Sequence, residues 1–274
     1  MRTKRIPELE KELVDTRKRL GAQHPDYVKI VDDIANDYYV KEMYTRAIEL
    51  YKHAMLIRQR LLGESHADTM YSMENLVECY REQGKWNLAA NIYWQIINIC
   101  KQVYGENSVE LATSINNLAS VYEKQGKLLK AEGLYLQAIE IYKKALGENN
   151  ESSILGLWHI ASMYESWKKF DKAEMFYRQM METGKQMLGM EHEYTAISIS
   201  SLADVCKEQG KLGEAEMLYK KWIEIHKQKL LLEHPFTELV LDRLADVYTE
   251  QGKVQKAKAT RKLHQQSLAF KNRT

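Results

Sequence analysis

The stretch Leu118-Ala119-Ser120-Val121-Tyr122, running on through Gln125-Gly126-Lys127 to Ala131-Glu132 and Tyr135-Leu136-Gln137-Ala138, decides the architecture. Its landmarks recur along the chain. Tyr122 has period mates at Tyr38, Tyr80, Tyr164 and Tyr248, spaced by 42 residues, with Cys206 in the remaining place. Ala131 repeats without a gap as Ala47, Ala89, Ala173, Ala215 and Ala257. Tyr135 repeats as Tyr51, Tyr93, Tyr177 and Tyr219, with Arg261 as the sixth member. Gly21, Gly63, Gly105, Gly147 and Gly189 mark a further phase, closed by Leu231. A fixed period of this length is the mark of a repeat array in which each unit buries its apolar face against its neighbours.

Each unit reads as two helices. Met70, Met73, Leu76, Val77 and Tyr80 fall on one helical face. Gly84 follows where a helix ends in the left-handed region, and Gly126, Gly210 and Gly252 repeat that turn. Trp86, Ala89, Ile92, Tyr93, Ile96 and Ile97 give the apolar face of the second helix, with Trp86 expected in the core. The alanines at the Ala131 phase suit a close helix crossing, and the tyrosines would fill the space beside it. His24-Pro25 and His234-Pro235 open two units, placing proline in a first helical turn. His24, His66, His192 and His234 are expected to cap or pack in those openings. Ser166-Trp167-Lys168-Lys169 lacks the glycine turn and predicts a local departure in the stack.

The fold class expected is all-α: a right-handed superhelical solenoid of six antiparallel helix pairs with an N-terminal capping helix. The boundaries are residues 1–21 for the cap and 22–63, 64–105, 106–147, 148–189, 190–231 and 232–273 for the pairs. Ile6, Leu9, Leu13 and Leu20 would cover the first pair. With Thr16 they also fit a short heptad, so a coiled coil stays open. The polar last helix, 254–271, reads as the other cap. A chain that begins mid-unit is expected to be a segment of something longer.

The motif residues quoted above resemble a tetratricopeptide repeat. The 42-residue form, ending in Leu-Gly and reopening at His-Pro, is similar to the repeats of kinesin light chains and to those of nephrocystin-like and NLR-type proteins. HEAT repeats are the competing fold. The resemblance implies a protein–protein interaction scaffold or adaptor that holds a peptide or partner helix in a concave groove. A nucleic-acid-binding helical repeat, or the sensor region of a larger signalling protein, are the alternatives.

Composition excludes other classes. Forty Lys and Arg against 38 Asp and Glu leave a net charge of +2, which gives no global pull toward nucleic acid or membrane. Three cysteines make no disulfide framework and suit a reducing, cytoplasmic setting. No phosphate-binding glycine loop, His-Glu-x-x-His or Cys-x-x-Cys occurs, so no catalytic residue, metal ligand or cofactor is expected. Cys79, Cys100 and Cys206 read as small core residues.

First helices line the inner side of such an array, so the groove phases are counted from the first-helix Ala119. Two residues back lie Asp33, Asn75, Asn117, His159, Ser201 and Arg243. Three back lie Asp32, Glu74, Asn116, Trp158, Ser200 and Asp242, and Tyr71 stands six back in its unit. These positions vary while the framework repeats. The candidate ligand-binding residues are therefore Tyr71, Asn75, Asn116, Asn117, Trp158, His159, Ser201 and Arg243. Side-chain amides carry a donor and an acceptor and can hold a peptide backbone in either sense. The kinesin-light-chain resemblance implies Asn at the Asn75 and Asn117 phase. Partners expected are a protein or peptide, without nucleic acid or membrane.

Overall fold

The computed structural model describes residues 6–148, 150–226 and 236–271. Among them are thirteen helices and no strand. After α1 (Ile6–Leu20), first and second helices alternate. The first helices are α2 (Pro25–Val40), α4 (Ala67–Glu82), α6 (Val109–Lys124), α8 (Glu151–Ser166), α10 (Glu193–Glu208) and α12 (Thr237–Glu250). The second helices are α3 (Tyr44–Leu62), α5 (Trp86–Tyr104), α7 (Leu128–Leu146), α9 (Phe170–Leu188), α11 (Leu212–His226) and α13 (Val254–Lys271). The chain forms two compact units, Met1–Ile141 and Tyr142–Thr274. In the first unit each helix from α1 to α6 packs on the next in sequence, and in the second each from α8 to α13 does. His234, Pro235 and Leu231 lie outside the described residues.

The crossing alanines are where the sequence puts them. Ala47, Ala89, Ala131, Ala173 and Ala215 are fully buried, and Ala257 is nearly so. Tyr51, Tyr93, Tyr135, Tyr177 and Tyr219 are buried beside them. The other tyrosine phase is uneven: Tyr80, Tyr164 and Tyr248 are buried, whereas Tyr38 and Tyr122 are half-buried. Trp86, expected in the core, is also half-buried. Its phase lies at the first residue of each second helix, where one side of the helix still faces water. Cys79, Cys100 and Cys206 are all buried.

The turns carry the strongest local logic. After α4, the Lys85 N–H reaches the Tyr80 carbonyl and the Gly84 N–H reaches that of Arg81, at 2.8 and 2.9 Å. These two bonds form a Schellman cap and force Gly84 to a φ of 67°. The expected departure at Trp167 does not occur. Lys168 adopts φ 55°, and the Lys169 and Lys168 N–H groups make the same pair of bonds to Tyr164 and Glu165. The packing of α8 on α9 holds the turn against the preference of a side chain with a Cβ.

A glutamine clamp accompanies each glycine turn. Gln83 Nε2 donates to Thr45 Oγ1 and Gln125 Nε2 to Asn87 Oδ1, at 3.1 and 3.2 Å. In the second unit Gln209 bonds Asp171 and Gln251 bonds the Leu212 carbonyl, at 2.9 and 3.0 Å. The openings of α2, α4 and α10 are capped by histidine. The Nδ1 atoms of His24, His66 and His192 accept from the backbone N–H two residues on.

At the N-terminus, Leu9 is buried against Ile30 and Ile34, with Ile6 and Leu13 partly buried around them. Leu20, the last residue of α1, is 37% exposed and is not part of that cluster. On α13, Lys256, Lys258, Arg261 and Lys262 are exposed, while Ala257 and Thr260 face inward.

Two outcomes test this framework. Lys168→Gly removes a left-handed residue's strain and should stabilise by about 0.5–1 kcal/mol, net of the entropy glycine adds to the unfolded chain. Gly126→Ala should cost about 1 kcal/mol, both read from denaturant midpoints. The second outcome concerns alkali. Burial pushes the thiols of Cys206 and Cys79 up to about 11 and 12, and the Tyr93 phenol up to about 12. It also raises those of Tyr51, Tyr135, Tyr177 and Tyr219. Each group holds its proton more tightly when folded. Stability is therefore intact below the ordinary values of 9.0 and 10.0 and is lost as pH rises through the folded ones. The melting temperature should fall steeply above pH 10, with the phenolate absorbance of the buried tyrosines appearing only as the helices unfold.

Candidate ligand-binding groove

The candidate groove residues on α4 and α6 belong to the first unit. Tyr71 is 49% exposed, so its ring stands in solvent. Asn75, Asn116 and Asn117 are half-buried. Asn75 Nδ2 and Asn116 Oδ1 are buried atoms that have no hydrogen-bond partner among the described residues. One is a donor and the other an acceptor. Glu74 and Glu78 lie beside Asn75, one turn apart. Partial burial and the charge of Glu78 raise the Glu74 carboxyl. Arg81 answers Glu78 at 2.7 Å.

Asp32 does not line this face. It is buried, and its Oδ2 sits 2.5 Å from Arg58 Nη2, while Arg58 Nη1 donates to Ser72 Oγ at 2.7 Å. The arginine reaches back from α3 and draws the carboxylate into the packing among α2, α3 and α4.

In the second unit the row comprises Trp158 and His159 on α8, Ser201 on α10 and Arg243 on α12. All four are half-buried. Trp158 and His159 meet edge to face, their ring centroids 5.1 Å apart. Burial holds the His159 imidazole below its usual value, so the ring is neutral at neutral pH. Arg243 is ion-paired with Asp204, whose other oxygen accepts from the Tyr219 hydroxyl. Arg243 is therefore first a structural counter-ion, with less freedom than an open groove position. Ser201 lies near the Tyr177 phenol. Leu155 and Leu239, at the Tyr71 phase, are 40% and 44% exposed.

The sequence reading missed what the buried tyrosines do. Their hydroxyls leave the core toward the first-helix rows. Tyr51 donates to Asn36 Oδ1 at 2.5 Å and Tyr135 to Glu123 at 3.0 Å. Tyr177 donates to Glu165 at 2.7 Å. A signal was present: that phase carries tyrosine in five units and phenylalanine in none, and a buried phenol needs a partner.

One group of residues has metal-ligand chemistry by type. Ligand atoms of Glu174, Cys206 and Glu214 lie within 4.8 Å of one another. Their charges are already answered. Arg178 bonds both carboxylates and Lys211 bonds Glu174 at 2.7 Å. Burial keeps the Cys206 thiol protonated, at about 11. This ion network occupies the place where the other units put a tyrosine ring.

The family of tetratricopeptide repeat models matches residues 26–102, 73–144, 110–186, 152–228 and 194–272. The chain belongs to the tetratricopeptide repeat family. No curated protein sequence matches it. Among solved structures it is similar to BtubC (BKLC) from P. vanneervenii, at 21% identity and TM-score 0.62 over 82% of this chain and 90% of that one. It is similar to the nearly identical TPR-like repeats of a Podosopora anserina protein described as a kinesin light chain, at 21% identity and TM-score 0.61 over 76% and 98% of the two chains. It also resembles part of a Pyrococcus horikoshii signal-transduction ATPase with a tetratricopeptide repeat sensor, at 13% identity and TM-score 0.66 over 95% of this chain and 38% of that one. At these identities the likeness shows the fold. No described helix is long and apolar enough to cross a membrane.

The pairing of Arg243 has a measurable consequence. Arg243→Ala strands a largely buried Asp204 carboxylate and should destabilise by about 1–3 kcal/mol. Tyr71→Ala, which removes an exposed ring, should stay within about 0.5 kcal/mol of the parent in the same denaturant titration.

Proposed function

We propose that this chain is a non-catalytic protein-interaction scaffold whose first-helix faces hold a peptide or partner helix, as the kinesin-light-chain resemblance implies. The observation that carries this reading is the pair of half-buried asparagines, Asn75 and Asn116, each with a buried, unanswered amide atom. A buried polar group without a partner costs about 1–3 kcal/mol. A ligand backbone offering a carbonyl to one and an N–H to the other recovers that cost. Asn117 lies beside Asn116, and exposed Tyr71 supplies an aromatic contact of the kind that anchors interfaces. Placement on helices keeps these groups ordered before binding.

In this reading the second unit carries a row of its own, with Trp158, His159, Ser201 and the Arg243–Asp204 pair. The array is a cap, residues 1–21, followed by six pairs over 22–273, working in the cytoplasm. Nucleic acid is disfavoured, because Asp33, Glu74 and Glu78 would face its phosphates.

The test is affinity capture from a cell lysate with the parent and with Asn75→Ala plus Asn116→Ala. A specific protein should be held by the parent and lost by the variant, with the melting temperature unchanged or slightly raised. If the variant retains every captured protein, the groove assignment fails.

A further inference from the structure

A second cavity lies away from this groove, on the second-helix side of the first unit. It has a volume of about 510 Å³ and opens between α3 and α5, over the start of α4. That size is in the range of specific ligand sites. Its floor is Met73, Ile99 and Thr69, all buried. One wall is a row of amides on α5: Gln95, Asn98 and Gln102. Their spacing of three and then four residues sets them on one face of the helix, about 4.5 and 6 Å apart along its axis. All three are exposed, and none makes a hydrogen bond within the described residues.

The cavity is nearly free of charge. Glu64 is its one ionisable lining residue, and its Oε1 accepts from Gln59 Nε2 at 2.6 Å. The positions one period on are different. Lys101 stands at the Gln59 phase and closes on Glu106 at 2.8 Å, and Glu140 and Lys144 take the places of Asn98 and Gln102. An amide-walled slot with a single carboxylate over a thioether and aliphatic floor is thus not repeated one period on.

We propose that this slot binds an uncharged peptide segment in extended conformation, seating one apolar side chain on Met73 and Ile99. An extended strand presents amides to one side about every 6.6 Å, each with a donor and an acceptor. Three free carboxamides along a helix supply both, over about 10.5 Å. An acidic side chain would meet the Glu64 carboxylate, and a Lys ammonium seated on Met73 and Ile99 would lose its hydration against apolar atoms. The site is separate from the first-helix groove and does not rest on the reading of Asn75 and Asn116.

The probe is a panel of fluorescein-labelled, C-terminally amidated octapeptides. Each has a central Leu, Met, Phe, Lys or Glu in an otherwise Ser, Thr, Gln and Ala sequence, and binding is read by fluorescence polarisation. Peptides with central Leu or Met should bind at least tenfold tighter than those with Lys or Glu. Asn98→Lys and Gln95→Ala, both at exposed positions, should each weaken binding by tenfold or more at an unchanged melting temperature. Asn75→Ala should leave it unaltered. The proposal is overturned if no panel member binds up to millimolar concentration, or if binding ignores Asn98→Lys. It is also overturned if binding is lost with Asn75→Ala, which would place the peptide in the other groove. A slot that takes small neutral molecules but no peptide would equally sink it.

Discussion

A tyrosine ring buried to within a few per cent of solvent cannot leave its hydroxyl unpaired. That constraint organises the interior. Tyr51, Tyr135, Tyr177 and Tyr219 fill the space beside the crossing alanines and donate to Asn36, Glu123, Glu165 and Asp204. Each bond ties a second helix to a polar residue of a first helix. The interior thereby sets the orientation of side chains on the surface that a ligand would meet. Replacing a tyrosine by phenylalanine would keep the volume and release the partner.

The unit that breaks the tyrosine rule shows how such an array tolerates exceptions. Cys206 is far smaller than the ring it replaces, and the vacated region holds the Glu174–Arg178–Glu214–Lys211 network. Arg178 stands at the phase of Lys52 and Lys220, which lie over the rings of Tyr80 and Tyr248 at 5.8 and 5.9 Å. One long cationic side chain thus serves two ends: it covers an aromatic face where there is one, and it gathers carboxylates where there is none.

The repeat, the crossing alanines, the glycine turns and the histidine openings were legible because each follows from local spacing. A left-handed turn needs glycine, and a close crossing needs alanine. Lys168 shows the limit of that logic, since packing imposed the turn on a residue that disfavours it. The site was less legible. Helical phase places a side chain on a face, but says nothing of an arm arriving from elsewhere. Arg58 withdraws Asp32 from the groove across 26 residues of sequence, and Asp204 claims Arg243. The slot between α3 and α5 escaped notice because its amides belong to second helices and look like solvated surface. The unpaired atoms of Asn75 and Asn116 are likewise a property of three-dimensional packing.

The histidine caps bring the proton into the structure. An Nδ1 that accepts from a backbone N–H must be bare, so protonating that atom turns an acceptor into a donor and removes the cap. At His24 and His66 the ring then finds a carboxylate within reach, Asp26 at 3.6 Å and Asp68 at 3.9 Å. The neutral ring serves the helix start directly, and the charged ring serves it through the aspartate of the first turn. His192 has Tyr194 at that place, and the acidic residue of its first turn is Glu193. The three caps thus differ in what stands behind them: α2 and α4 have a carboxylate at the capped position, and α10 has a tyrosine ring, its centroid 5.3 Å from that of His192.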